Sequence, residues 1–361
     1  MADAALDAIV DRVRAARADK TPLAITGGGT KAFYGGPVTG APLDVRPLAG
    51  ISSYEPSELV VTVRAGTPLA ELEAALAEKG QCLPFEPPRF AAGGTVGGMV
   101  AAGLSGPARP AVGGVRDYVL GATLLNGKAE VVSFGGQVMK NVAGYDVSRL
   151  LAGSMGLLGV LCEVSLKVLP QPVAAATLRF ELDEAAALRQ LNTWGGQPLP
   201  LSASAWWDGM LVLRLAGAAA AVQSAKRALG GEVIDAALAA GFWQGMRDQT
   251  DEFFVGAAKA VQGGATLWRL AVPQTAPPLG LPGEQLLEWG GAQRWVVTSA
   301  PAPALRDVAA RAGGHATAFR GGAPGDAFAP VAPALMTIHR GLKHAFDPDR
   351  IFNPGRLYPE L

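Results

Sequence analysis

Glycine is clustered in the first half of the chain: Gly27-Gly28-Gly29, then Gly93-Gly94 followed by Gly97-Gly98, then Gly153, Gly156 and Gly159. A glycine run weakens any regular helix or strand, so each cluster marks backbone that turns tightly or lies close to something else. Glycine (47) and proline (27) make about a fifth of the 361 residues, against a usual ~12%. No Gly-x-y period accompanies them, which excludes collagen. A hydrophobic fraction of 49% excludes a disordered chain. The length predicts two or three domains.

Lys+Arg and Asp+Glu are both 31, so the net charge is zero. No basic excess points to nucleic acid or to an anionic membrane surface, and nothing in the charge opposes association with a partner subunit. No apolar run approaches the ~18 residues of a membrane span. Met1–Lys20 mixes acids and bases, unlike a signal peptide. The expectation is a cytoplasmic protein, with any place at the inner face of a membrane coming through partners. Cys82 and Cys162 form no C-x-x-C pair and read as buried thiols. The three histidines, His315, His339 and His344, all fall near the C-terminus, so no metal site is expected.

Periodicity orders the first 172 residues as a helix (3–18), a short strand (Pro22–Thr26) running into the first glycine cluster, and a second strand (Val38–Pro47). A stronger strand (Leu59–Val63) and a helix (Pro68–Lys79) follow. Residues 84–116 combine turns with Val96, Met99, Val100 and Leu104 at near-helical spacing. Val119–Leu125 and Ala129–Ser133 read as a hairpin about Asn126-Gly127, Val142–Leu151 as a helix and Gly159–Leu169 as a strand. Pro170 and Pro172 mark a boundary. Beyond it, strands (175–182, 202–207, 210–215, 267–272, 294–298) and helices (183–194, 218–229, 235–254, 302–312) suggest an antiparallel sheet with helices on one face. A last helix, Pro330–Phe346, leads to a Pro-rich tail. No internal repeat is evident.

The chemistry concentrates in the glycine clusters. Thr26-Gly27-Gly28-Gly29-Thr30-Lys31 follows a strand and exposes successive backbone N–H groups, which suit phosphate oxygens because glycine has no Cβ to keep an anion away. It is neither a P-loop nor a Rossmann fingerprint. Gly93-Gly94-Thr95-Val96-Gly97-Gly98 opens a short helix and is a second donor-rich stretch. Two such stretches suit a ligand with a diphosphate and an extended body. Small residues over 151–160 would let a flat ring or ribityl chain approach.

The order of these segments, GGGT, GGTVGGMVAAGLSGP, GGVRDYVLGATLLNG and LLAGSMGLLGVLCEVSLKVLP, resembles the FAD-binding domain of the vanillyl-alcohol oxidase / p-cresol methylhydroxylase (PCMH) superfamily. The tail DPDRIFNPGRL (347–357) is similar to that superfamily's C-terminal signature. Residues 137–146 (QVMKNVAGYD) are similar to the FAD-binding E subunits of bacterial glycolate oxidases. The resemblance implies an α+β fold: a PCMH-type FAD-binding domain of two α+β subdomains over 1–172, a ferredoxin-like α+β cap over 173–328, and a helix and tail over 329–361 returning to the first domain. It implies the FAD pyrophosphate on Gly27–Thr30 and on Gly93–Gly98, with Thr26 and Lys31 adjoining. Ser105, Gly106, Gly114 and Asp117 would lie near the isoalloxazine or ribityl side. Gly153, Ser154, Gly159 and Val160 would line the adenosine and ribityl contacts, and Asn353 would return to the flavin edge.

The chain departs from the resembled families in two ways. No histidine precedes His315, so a histidyl link to FAD in the first loop is ruled out, and non-covalent binding is implied. A base for abstraction from an α-carbon is also not evident. His339 and His344 point about 140° apart on a helix. No catalytic residue is assigned. The implied role is an FAD-binding subunit that relays electrons or supports a complex. A larger homologous FAD-containing subunit would oxidise a small 2-hydroxy acid, and an iron–sulfur subunit would carry electrons onward. Two cysteines cannot hold a cluster. A self-sufficient 2-hydroxy-acid dehydrogenase and a structural subunit with a degenerate FAD site stay open. Trp206-Trp207 and Trp268-Arg269 read as pocket or core residues. Lys140, Tyr145, Asp146 and Arg149 read as flavin or partner contacts or a solvated face. The N-terminal helix packs on its own domain or on a partner.

Overall fold

The computed structural model describes residues 3–136 and 146–361. The chain forms two compact units: one comprises residues 1–104, 114–170 and 330–361, the other 105–113 and 171–329.

The first unit opens with the helix Ala4–Asp19, started by Asp3, whose carboxylate accepts from Leu6 N, and stopped by Lys20 in the left-handed conformation. Its apolar stripe, Ile9, Val10, Val13 and Ala16, joins Leu23, Leu43, Val160, Ile351 and Phe352 in one core, so this helix packs on its own unit. Strand β1 (Leu23–Thr26) pairs in parallel with β2 (Ala41–Asp44). Five further strands form a second, antiparallel sheet: β3 (Ile51–Glu55), β4 (Val60–Arg64), β6 (Val119–Leu125), β7 (Val131–Gly135) and β8 (Val160–Lys167). Their order is β3-β4-β8-β6-β7. β5 (Gln81–Cys82) and β9 (Leu169–Pro170) make a short separate pair. The helices Leu69–Ala77 and Val96–Ala102 cover the five-stranded sheet, burying Leu69, Leu72, Leu76, Val96, Met99 and Val100.

The hairpin β6–β7 forms, but not around a two-residue Asn-Gly turn. The loop spans 126–130, and Asn126 Oδ1 organises it by accepting from Lys128 N and Glu130 N (2.9 and 3.0 Å). Gly127 instead serves packing: its N–H donates to Phe346 O (2.8 Å), and a Cβ there would lie 2.8 Å from Asp347 Cα. β3 was not anticipated, because its sequence ISSYE is polar and it sits at the sheet edge. The helix expected over Val142–Leu151 is described only from residue 146 onward, where Val147–Leu150 is a single turn.

The second unit holds one eight-stranded antiparallel sheet of β10 (Ala174–Glu181), β11 (Leu201–Trp207), β12 (Met210–Gly217), β13 (Glu232–Ile234), β14 (Thr266–Ala271), β15 (Glu284–Glu288), β16 (Gln293–Thr298) and β17 (His315–Arg320). The order is β13-β10-β12-β11-β15-β16-β14-β17. Taken from its outer edges inward, this is the same arrangement twice, joined where β11 pairs β15. In the first half the helices Glu184–Gly195 and Ala219–Leu229 connect the strands; in the second, Ala302–Arg311 plays the corresponding part and the Pro-rich segment 273–282 replaces the other helix. Each half carries its own apolar core. The repeat is topological and leaves no period in the sequence.

Helices cover both faces of this sheet, not one. Val296 packs with Leu305 and Ala309 of Ala302–Arg311. Its neighbour Trp295 points to the opposite face, since successive strand residues alternate, and stacks edge-on against Phe254 of the helix Glu252–Gln262 (5.4 Å) and against Phe319 (4.9 Å). The expected helix 235–254 is two helices, Ala236–Asp248 and Glu252–Gln262. Gln249 turns left-handed (φ 58°), and Thr250 N donates to Gly245 O (2.9 Å). The last helix, Pro333–Phe346, belongs to the first unit.

Candidate functional site

The first glycine cluster leaves β1 and is the floor of a cavity within the first unit, lined from Thr26 through Ala32. It packs directly on the second cluster. A Cβ on Gly28 would lie 2.5 Å from the Gly93 carbonyl carbon and closer still to its oxygen, and one on Gly27 would overlap the Thr95 side chain. The two loops can touch only because these residues lack a side chain. Among the described residues, the N–H groups of Gly28, Gly29, Thr30, Gly93, Gly94 and Thr95 have no acceptor inside the protein.

Within the second cluster the donors divide. Val96 N is taken by Thr67 O (2.9 Å) and Gly97 N by Ala65 O (2.7 Å). Gly98 N is taken by the capping hydroxyl of Thr95 (3.2 Å). The free donors therefore belong to Gly93–Thr95. Gly97 and Gly98 line the cavity as small surface, and a Cβ on Gly97 would lie 2.7 Å from that of Ala65. Lys31 extends its ammonium over the Phe90 ring (5.5 Å) and reaches Thr30 Oγ1 (3.4 Å).

The third cluster supplies the far wall through Met155, Gly156, Gly159 and Leu161. Gly156 has φ +78°, and a Cβ there would strike the Asn353 amide. Asn353 lines the same wall, and both polar atoms of its side chain have a partner within the protein. Oδ1 accepts from Ile25 N (2.8 Å) and Nδ2 donates to Met155 O (2.7 Å). It clips the tail to β1 and to the third cluster. Val160 lies in the apolar core beneath β1.

Gly153 and Ser154 stand in the turn before that wall, where Gly153 N donates to Val100 O (3.0 Å). Gly114 and Asp117 cap the short helix Val115–Tyr118, the Asp117 carboxylate accepting from Gly114 N (2.8 Å). Ser105 and Gly106 belong to the second unit, where Gly106 O accepts from Trp289 Nε1 (3.1 Å). Trp206 donates to Leu182 O and Trp207 to Glu284 (2.8 and 2.9 Å). Trp268 is core, and Arg269 lies over the Phe319 ring (5.4 Å). Asp146 caps Val147–Leu150 and pairs with Arg149 (3.3 Å). Lys140 and Tyr145 lie outside the described residues.

Sequence reasoning did not single out Arg356, which lines the cavity from the tail. It is 6% exposed. Its guanidinium donates to the carbonyls of Gly36, Lys31 and Ala32, the last two at 3.2 and 2.9 Å. Only its place in the tail, three residues after Asn353, hinted at this.

The polar groups on the cavity wall are backbone donors, threonine hydroxyls, an amide and two cations, and apolar side chains such as Val38, Val45, Met155 and Leu161 fill the rest. Among the described residues lining it there is no histidine, carboxylate, thiol or phenol. Nor, among the described residues, does any group of three His, Cys, Asp or Glu side chains suit a metal ion. His339 faces the Tyr358 ring (6.3 Å), and His315 is on β17 in the second unit. Such a wall suits an anion and stabilises charge, and among its described residues Lys31 is the one side chain of a type that can take a proton from carbon, and only in its uncharged form. The free N–H groups of Gly28–Thr30 line the cavity and Thr95 joins them, with Gly93 and Gly94 in contact with the first loop outside the lining; such adjoining donors fit the phosphates of a dinucleotide.

The thiols take no part in this wall. Burial pushes the Cys162 thiol up to about 12 and raises that of half-buried Cys82 as well. The thiolate is the nucleophile, so at pH 8 Cys162 is ionised to only about one part in ten thousand. In the folded protein at pH 8, Cys162 should react with Ellman's reagent at least ~100-fold more slowly than in urea. Peptide mass mapping of the labelled protein checks this; equal rates would contradict its burial.

Residues 4–135 match the family model described as FAD binding domain. The chain is 49% identical over 354 residues to the glycolate oxidase subunit GlcE of Escherichia coli (strain K12), covering 98% of this chain and 97% of that protein. It is 31% identical over 172 residues to the glycolate oxidase subunit GlcD of Bacillus subtilis (strain 168), covering 46% of this chain and 36% of that one. Among solved structures, alkyldihydroxyacetonephosphate synthase superposes with a TM-score of 0.66 at 14% identity, over 96% of this chain and 74% of that chain. That likeness concerns the fold alone.

Proposed function

The chain belongs to the GlcE family of glycolate oxidase subunits, and on that premise we propose that it is the FAD-binding subunit of a multi-subunit enzyme oxidising glycolate to glyoxylate. The observation that carries this reading is the cradle of paired glycine loops, retained in a chain that matches such a subunit from end to end. Backbone N–H groups of Gly28–Thr30 and Gly93–Thr95 would hold the diphosphate, and the wall from Met155 to Leu161 would take the body of the cofactor. FAD bound here supplies a carrier able to take up two electrons and release them singly. The chain's own part is to bind and orient it.

Binding is non-covalent, since neither cysteine nor any histidine lines the cavity. Removal of hydrogen from glycolate falls to a larger homologous flavin subunit, because no histidine, carboxylate or phenol is among the described residues of this wall. An iron–sulfur subunit would carry electrons onward. No helix among the described residues is long and apolar enough to cross a membrane. The reading puts the complex in the cytoplasm, or at the inner membrane face through its partners.

The purified chain should be yellow, with absorption near ~450 nm that acid releases wholly into the supernatant as FAD. With glycolate and a dye acceptor it should turn over at least ~100-fold more slowly than the assembled complex, a proton-abstracting group being worth that much. Turnover matching the complex would make it a self-sufficient dehydrogenase. A colourless chain that takes up no added FAD would make it a structural subunit.

A further inference from the structure

The described residues bury three cations, Arg294, Lys343 and Arg356. Two have a carboxylate: Arg294 meets Glu184 at 3.3 Å, and Lys343 meets Asp347 at 2.8 Å. Arg356 has none. Its partners are three backbone carbonyls, Gly36, Lys31 and Ala32, which take three of its five N–H groups and leave its charge uncompensated. Burying a charge without a counterion is costly. Burial holds the Arg356 guanidinium below its ordinary pKa, yet an arginine stays protonated at neutral pH.

Two further features point to where the counterion comes from. Arg356 lines the cavity that holds the free donors of Gly28–Thr30. It also grips the backbone immediately after them: Ala32 N closes back on Gly29 O (3.0 Å), and Gly36 N donates to Arg356 O (2.8 Å). The guanidinium thus fixes the first loop and places a fixed positive charge beside it.

We propose that Arg356 is the electrostatic anchor of the cofactor's diphosphate, a buried cation whose missing counterion is the bound anion itself. The proposal rests on the FAD reading above. The same charge would attract free pyrophosphate, while a neutral ligand would gain nothing from it. The tail thereby contributes to cofactor binding, although it lies 325 residues from the loop it holds.

The test titrates the full apo-chain with FAD, by flavin fluorescence, for the wild type, Arg356→Met and Arg356→Lys. Arg356→Met should weaken FAD binding at least tenfold and flatten the dependence of log Kd on log salt; Arg356→Lys should restore part of the salt dependence. Pyrophosphate alone should raise the Tm of the wild type more than chloride at equal ionic strength. An Arg356→Met affinity within twofold of wild type, or an unchanged salt slope, overturns the proposal. Should that variant fail to fold, the wild type decides: no pyrophosphate effect on its Tm overturns the proposal, and an effect above that of chloride supports it. A wild type that takes up no FAD instead removes the reading on which the proposal stands.

Discussion

Gly28→Ala is expected to cost the protein its flavin. The new methyl would stand within 2.5 Å of the Gly93 carbonyl carbon, and the obstacle is backbone, not the end of a flexible side chain. One loop must move, and the adjoining donor runs separate. Forcing one extra carbon into a closed contact costs about 1–3 kcal/mol, so FAD affinity should fall roughly ten- to a hundredfold or more. Gly29→Ala is the informative comparison. Gly29 has φ +68°, but a Cβ there meets nothing within 4 Å, so its cost is the left-handed strain of about 1–2 kcal/mol without displacement of the second loop. Titration of the apo-variants with FAD, beside their thermal melts, separates the two. An affinity for Gly28→Ala equal to that for Gly29→Ala would contradict the contact between the loops as the basis of the site.

The glycine clusters were legible because their requirement is local: a backbone that must approach another backbone demands glycine wherever it occurs. Strands β4 and β8 and the N-terminal helix were legible for a similar reason, their apolar periodicity being strong. What escaped was non-local. The helix Ala236–Asp248 ends at a left-handed Gln249 inside a sequence that continues in amphipathic register. The doubled topology of the second unit exists only in strand order. Asn353 could be read as belonging to the site, but not that Ile25 and Met155 would consume its amide. Glycine spacing likewise did not reveal that Gly97 and Gly98 spend their N–H groups on Ala65 and Thr95. Arg356 is the clearest case, because a carbonyl clasp between residues 31–36 and 356 follows no sequence rule.

That clasp depends on how the tail is held, and the hold is Asp347. It is fully buried. Its Oδ2 accepts from Lys343 Nζ and from Phe352 N (both 2.8 Å), and Oδ1 accepts from Ile351 N (3.1 Å). Lys343 Nζ spends its other two contacts on Leu157 O and Phe352 O (2.8 Å each). Asp347→Ala removes the counterion from a buried ammonium and strands two buried N–H groups, a change that costs about 3–5 kcal/mol. Urea unfolding should show that loss as a lower midpoint. Because the same segment carries Asn353 and Arg356, FAD affinity should fall as well, although Asp347 does not line the cavity. The double variant Lys343→Met/Asp347→Ala should recover part of the stability, since it no longer buries an unpaired charge. A single-variant loss under about 1 kcal/mol, the scale of an exposed pair, would mean that water reaches Lys343 and that the tail is held elsewhere.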